Sequence, residues 1–296
     1  MNKRTAIALF AIVILTWGLN WTVIKLIVNE ISPLWSSAFR CIIAAATALA
    51  VQCATRQFII PQKRDIPVIL LIGIFNMTIG SFCIAAGVQL TPVGRSVVLG
   101  YTTPLWVTPG AWLFLRERPP LRRLIGIAAG MCGIFVLCGI PSPDQEHGSA
   151  MLGYALLLLS ALSWAIVILG VRAHVWLSTP FQLLFWQTLP PSVLLSALAF
   201  WLEGAPSFSL SPALVLLLAY CGIPGTALAY WAMTVINANL PATTTSLGVL
   251  ATPVVGILGA VVFLGESVDI PLIAASCLIF GGIAIGTIPP RERSAS

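Results

Sequence analysis

The chain has 296 residues, of which 58% are hydrophobic and 8% charged, with a mean hydropathy of +1.00 and a net charge of +6. Soluble domains carry about 25% charged residues, so this composition excludes an ordinary soluble enzyme and points to lipid as the solvent. A helical span takes about 20 apolar residues; ten spans use roughly 210 residues and leave ~86 for loops and tails, with no room for an extramembrane catalytic, nucleotide-binding or receptor domain.

The first span is expected at 5–28. Lys3 and Arg4 precede apolar Ala6 to Leu15, which mimics a signal peptide, but the run continues through Trp17, Asn20 and Trp21 with no small-residue cleavage site. It reads as an uncleaved helix. Trp17, Asn20, Trp21 and Ile24 recur at helical spacing on one face. Span 2, at 34–54, holds Arg40, a charge inside an apolar run. Such a residue is a functional candidate by default. It can hold a substrate carboxylate or tie down the ends of helices, and the structural role is favoured. Span 3, at 66–88, offers Asn76, Gly80, Cys83 and Gly87. Span 4, at 95–115, offers Tyr101, Pro104 and Thr108. Span 5, at 121–140, carries Gly126, Gly130 and Gly133, assigned to helix packing.

Span 6, at 150–171, presents Ser160, Ser163, Trp164 and Val167 on one face. Span 7, at 180–202, places Gln187 where span 2 has Arg40. Span 8, at 211–234, offers Thr226, Tyr230 and Met233. Span 9, at 242–264, offers Thr245, Gly248 and Thr252, with Thr243, Thr244 and Ser246 beside them, and Pro253 within it. Span 10, at 270–288, has Gly282 and Gly286 for packing. Lipid-exposed spans must be helical, because hydrocarbon cannot satisfy open backbone groups.

Lysine and arginine set the orientation. With the N-terminus inside, the inner segments hold Lys3, Arg4, Arg56, Lys63, Arg64, Arg116, Arg118, Arg122, Arg123, Arg172, Arg291 and Arg293, while the outer ones hold only Lys25 and Arg95. This places both termini in the cytoplasm of a multi-pass cell (inner) membrane protein. The outer loops carry Glu30, Asp144, Glu146, Glu203, Glu266 and Asp269. The basic residues are scattered singly, which argues against a nucleic-acid partner.

The chain repeats itself. Thr103-Pro104, Gly110-Ala111, Phe114-Leu115 and Glu117 recur as Thr252-Pro253, Gly259-Ala260, Phe263-Leu264 and Glu266, at a constant offset of 149. Pro92 and Pro241, Gly73 and Gly222, and Gly133 and Gly282 keep it. Trp17 and Trp164, Lys25 and Arg172, and Pro33 and Pro180 match at 147. The division falls at 1–144 and 145–296. Five spans is an odd number, so the copies insert upside down relative to each other, the inverted-repeat plan of secondary transporters with a midplane substrate site. Pro104 and Pro253, paired mid-span, are expected to kink their helices and free the carbonyls of Gly100 and Val249.

The repeats, Phe39-Arg40 early in span 2, and the Thr-Pro…Gly-Ala…Phe-Leu-x-Glu motif closing spans 4 and 9 resemble the EamA-type drug/metabolite transporter superfamily. Tyr101 with Thr103-Pro104, and Trp164, are similar to the YddG-like amino-acid exporters within it. The resemblance implies an all-α membrane protein of ten transmembrane helices around a central cavity, exporting amino acids or similar metabolites by alternating access. The alternative is a multidrug exporter of quaternary cations, captured over aromatic faces.

The residues themselves support a substrate site built from Trp17, Asn20, Asn76, Gly80, Tyr101, Trp164, Tyr230 and Thr245. None of the nine acids lies at the centre of a span. A proton or sodium relay usually needs one there, so a facilitative carrier for a neutral or zwitterionic solute is expected. No Ser–His pair, acid constellation or metal-ligand spacing suggests an enzyme, a cofactor or a metal. The seven cysteines (41, 53, 83, 132, 138, 221 and 277) read as small buried residues. Partners are the small solute and the lipid bilayer, and the sequence leaves the oligomeric state open, a monomer included.

Overall fold

The structure, a computed structural model, describes residues 3–117, 119–140, 147–206, 208–209, 211–240 and 242–287. Arg118, Asp144, Glu146, Pro241, Arg291 and Arg293 lie outside the described residues. Within them every regular element is a helix.

Helix α1 runs Lys3–Glu30 and α2 Pro33–Ala54. The tight corner between them follows from sequence: the Ser32 hydroxyl caps α2 by accepting from Trp35 N–H at 3.3 Å, and Pro33 occupies the first turn, where no donor is needed. Next come α3 (Ile66–Leu71), a π-helical stretch over Ile72–Gly80, and α4 (Ser81–Leu90). The chain continues as α5 (Val93–Gly100), α6 (Thr103–Leu115) and α7 (Leu121–Gly139). Then follow α8 (His147–Ala173) and α9 (Leu184–Glu203). A second π-helical stretch, Ile223–Leu228, joins α10 (Pro212–Gly222) to α11 (Ala229–Asn239). The chain ends in α12 (Ala242–Val249), α13 (Thr252–Leu264) and α14 (Ile270–Thr287).

Eight helical segments among the described residues are long and apolar enough to cross a membrane, and α13 is a shorter apolar helix. The protein is therefore a multi-pass helical membrane protein. Its outward faces carry large apolar side chains such as Leu113, Phe114, Trp201, Val262 and Ile270, as lipid contact requires.

Expected spans 4 and 9 are each divided. One break lies at Tyr101 and Thr102, the other at Leu250 and Ala251. The prolines thus do more than kink a continuous helix. Pro104 and Pro253 stand in the first turns of α6 and α13, where a missing N–H costs nothing. The carbonyl of Gly100 is met at 3.3 Å by the Thr103 hydroxyl.

The long helices pack in matching pairs. Helix α7 lies along α14, and α2 along α9. Helix α1 packs on α13 and α11 as α8 packs on α6 and α4. At the α7–α14 crossing, a Cβ on Gly126 would sit 2.3 Å from the carbonyl oxygen of Gly282, and a Cβ on Gly282 equally close to that of Gly126. The glycines assigned to packing do pack, because only bare backbones approach this closely.

The cysteines divide. Cys41, Cys83 and Cys221 are buried, but Cys53, Cys132 and Cys277 are exposed on outer helix faces, and Cys138 is intermediate; all are free thiols. The expectation that all are buried fails because an apolar run is apolar on its lipid side too.

Candidate functional site

Side-chain bonds tie the helices together at two opposite ends. One end is sealed. The Lys25 ammonium donates to the carbonyls of Val88 (2.8 Å), Gln89 (3.1 Å) and Thr91 (3.2 Å), closing the C-terminus of α4. The Glu266 carboxylate accepts from Val93 N–H (2.7 Å) and Gly94 N–H (3.0 Å) at the N-terminus of α5. Arg95, only 2% exposed, pairs with Asp269 and donates to the Ile140 carbonyl and the Tyr154 hydroxyl. Ser32 bonds Glu203. Beneath these contacts Ile27, Val28, Val88, Val93 and Val97 pack into one buried apolar cluster. Arg95, expected as a loop charge marking topology, is instead a buried part of this seal.

At the other end, Arg172 pairs with Glu117 at 2.9 Å, but both are more than two-fifths exposed. The Gln52 amide donates to the Phe181 carbonyl at 2.6 Å. His174 meets the Asp65 carboxylate at 3.0 Å. Asp65 is fully buried, which works to raise its pKa, but the hydrogen bonds from His174, Ser178 and Leu177 N–H outweigh burial and hold it below the usual carboxylate range.

Between the ends lies a cavity of about 560 Å³ that reaches Arg123, Arg172, Asn237 and Thr287 at the second end. It runs along one stripe of α8, Ser160, Trp164, Ile168 and Arg172, a rise of roughly 18 Å. On α1 it is lined by Trp17, Asn20, Trp21 and Ile24, the face read from helical spacing.

Tyr230 lines it and joins three of its walls. The rings of Trp17 and Trp164 meet it edge-on, with centroids at 6.0 and 6.3 Å. The Asn76 amide donates to the Tyr230 hydroxyl at 2.6 Å. Four residues picked from four spans thus form one cluster. Tyr101, at the α5–α6 break, leans on Trp21 at 6.2 Å, and Thr245 and Pro104 also line the cavity. Two of the candidates do not line it. Gly80 is buried behind Asn76, and Pro253 is buried beside its break. Gly126, Gly282 and Gly286, read as packing alone, pack and also line the cavity wall.

The structure places Arg40 in the cavity wall, half-buried. Its Nε donates to the Thr226 hydroxyl at 3.0 Å and its Nη1 to the Ser81 hydroxyl at 3.4 Å. Thr226 sits in the second π-helical stretch, where its hydroxyl also donates to the Cys221 carbonyl at 2.8 Å. Thr78 does the same in the first stretch, toward Gly73 at 2.9 Å. Sequence reading gave no sign of the π segments: Thr78 and Thr226 stand at an offset of 148, but hydroxyl pairs of this kind are common. Arg123 was also missed as a lining residue, because a loop arginine looks the same whether or not it faces a cavity.

A solute-sized cavity, sealed at one end and walled by helices that cross the bilayer, defines a membrane transport protein. The chain belongs to the EamA-like transporter family, whose model matches residues 4–139 and again 151–287. It is 30% identical over 297 residues to the "Probable amino-acid metabolite efflux pump" of Salmonella typhimurium, covering 95% of this chain and 94% of that one. It is 25% identical to the "Uncharacterized transporter YoaV" of Bacillus subtilis, over 95% and 96% of the two chains. A crystal structure at 20% identity superposes with a TM-score of 0.66 over 96% of each chain and shares the fold. Family and relatives are transporters, not enzymes.

Proposed function

We propose that the chain is an exporter of small neutral or zwitterionic metabolites, foremost amino acids, built as ten transmembrane helices in two inverted repeats (1–144 and 145–296). It works by alternating access without an ion gradient. The carrying observation is the one-ended cavity with a wall drawn from equivalent positions of both halves, Trp17 and Trp164 above all. The matched helix breaks and the matched packing of α1 and α8 support the repeat. Relatives from Salmonella typhimurium and Escherichia coli, each named "Probable amino-acid metabolite efflux pump", support the substrate class.

Arg4, Arg56, Lys63, Arg64, Arg116, Arg122, Arg123 and Arg172 all belong to the end onto which the cavity opens. By the positive-inside rule that end is cytoplasmic and the state is inward-open. The outward-open state exchanges the roles of the two ends. Glu117 is the repeat mate of Glu266, and the mates of Val93 and Gly94 are Ala242 and Thr243. Glu117 then caps α12 as Glu266 caps α5 here. Arg172 takes the place of Lys25 on the carbonyls that end α11.

The test is counterflow in proteoliposomes preloaded with mixed unlabelled amino acids. Labelled threonine, methionine or phenylalanine should enter saturably with no pH gradient. Absence of uptake for every amino acid overturns the substrate class, and uptake only with a pH gradient overturns the facilitative mechanism.

A further inference from the structure

The cavity is electrically one-sided. Arg40, Arg123 and Arg172 line it, and no aspartate or glutamate does among the described residues. Arg172 has Glu117 as a partner, whereas Arg40 has no acid partner among the described residues. A guanidinium has five N–H donors. Two of Arg40's are taken by neutral hydroxyls, those of Thr226 and Ser81, and among the described residues the other three have no partner. The two hydroxyls hold the group in place without neutralising it.

We infer that Arg40 is a carboxylate-binding residue and that the cavity selects monocarboxylates, with no requirement for an ammonium group. This inference rests on the cavity being the transport site. Thr226, which grips Arg40, lies one helical turn before Tyr230 on the same segment. Trp164 and Tyr230 pack against the cluster of Ala38 and Cys41, which flanks Arg40 on α2. A carboxylate on Arg40 therefore leaves its side chain beside the Trp17, Tyr230 and Trp164 rings. The aromatic faces can still receive an ammonium, but the cationic wall opposes a net positive ligand, which excludes quaternary cations as substrates. An N-acylated amino acid, anionic and lacking the ammonium, satisfies the cavity better than the free amino acid.

The experiment is ligand binding to the intact protein in lipid nanodiscs, read by intrinsic tryptophan fluorescence and thermal shift, so that it does not depend on flux. The probes are phenylalanine, N-acetylphenylalanine, phenylalaninamide and phenethylamine, which share a ring and differ in charge. N-acetylphenylalanine should bind at least as tightly as phenylalanine, with both cations weaker by roughly tenfold or more. Arg40→Gln should weaken the two acids by roughly 10- to 100-fold and leave the cations unchanged or improved. Arg40→Lys should recover part of the loss. If Arg40→Gln does not fold, the wild-type ranking still decides. Equal or tighter binding of the cations, or no binding of either acid in the millimolar range, overturns the inference. Acid-selective binding without counterflow would fault the transport reading and leave the anion site standing, whereas counterflow of amino acids with no preference for the carboxylate would do the reverse.

Discussion

Glu266→Gln tests the seal. In the wild type both carboxylate oxygens accept from backbone N–H groups at the start of α5, at 2.7 and 3.0 Å. Glutamine keeps one acceptor and presents an NH2 to the other donor, so one bond is lost and one amide is left facing a donor. Loss of a charge-assisted bond costs about 1.5–3 kcal/mol, and loss of a negative charge at a helix N-terminus adds about 0.3–1 kcal/mol. Local relaxation and water entry recover part of this, so the net penalty on the sealed state is about 2–3 kcal/mol. At 1.36 kcal/mol per decade, the equilibrium between sealed and open forms of that end moves by roughly 30- to 150-fold. Spin labels at exposed Gln89 and Val268, in a background without the native cysteines, straddle the contact. Double electron–electron resonance should show a longer distance gaining population at the expense of the wild-type one. A distance distribution identical to wild type, in a variant that folds and binds ligand normally, would refute the argument that this cap holds the end shut.

Tyr230→Phe removes the oxygen that receives the Asn76 amide and leaves that donor unpaired; counterflow should show KM raised about 5- to 150-fold, reflecting a cost of about 1–3 kcal/mol in site organisation, with yield and melting profile close to wild type. Gly282→Leu drives a side chain into the Gly126 carbonyl across the α7–α14 crossing. It should lower the melting temperature sharply or abolish monodisperse protein by size exclusion, whereas Gly281→Leu, at a position with open space around its Cβ, should not. Asp65→Asn removes a carboxylate whose pKa is held down by its partners. Because the folded pKa is depressed, the stabilisation is present above the ordinary pKa of 3.8 and is lost as pH falls through the lower folded value. Thermal melts should therefore show the variant less stable than wild type at pH 7, with the gap closing below about pH 4.

Composition and hydrophobic periodicity were enough for a multi-pass helical membrane protein, and they marked several residues that come to line its cavity. Trp17, Asn76, Trp164 and Tyr230 were each picked as polar or aromatic residues at helical spacing inside apolar runs, and all four line one cavity. That worked because lipid imposes a strict rule: a polar group inside a span must face protein or water. The 149-residue offset exposed the paired prolines and the mates Glu117 and Glu266, since equal positions in two copies face equal geometric demands. What chain order could not carry was state. The sequence around Glu266 reads the same whether the carboxylate caps α5 or stands free, and only packing brings it to Val93 and Gly94. Arg95 reads as a loop charge until Asp269, far along the chain, is brought against it. The π-helical turns depend on a one-residue insertion into a helical ladder, which hydrophobic period does not register. The charge around Arg40 is likewise a tertiary fact, because chain order does not show that, among the described residues, arginines line the cavity and acids do not.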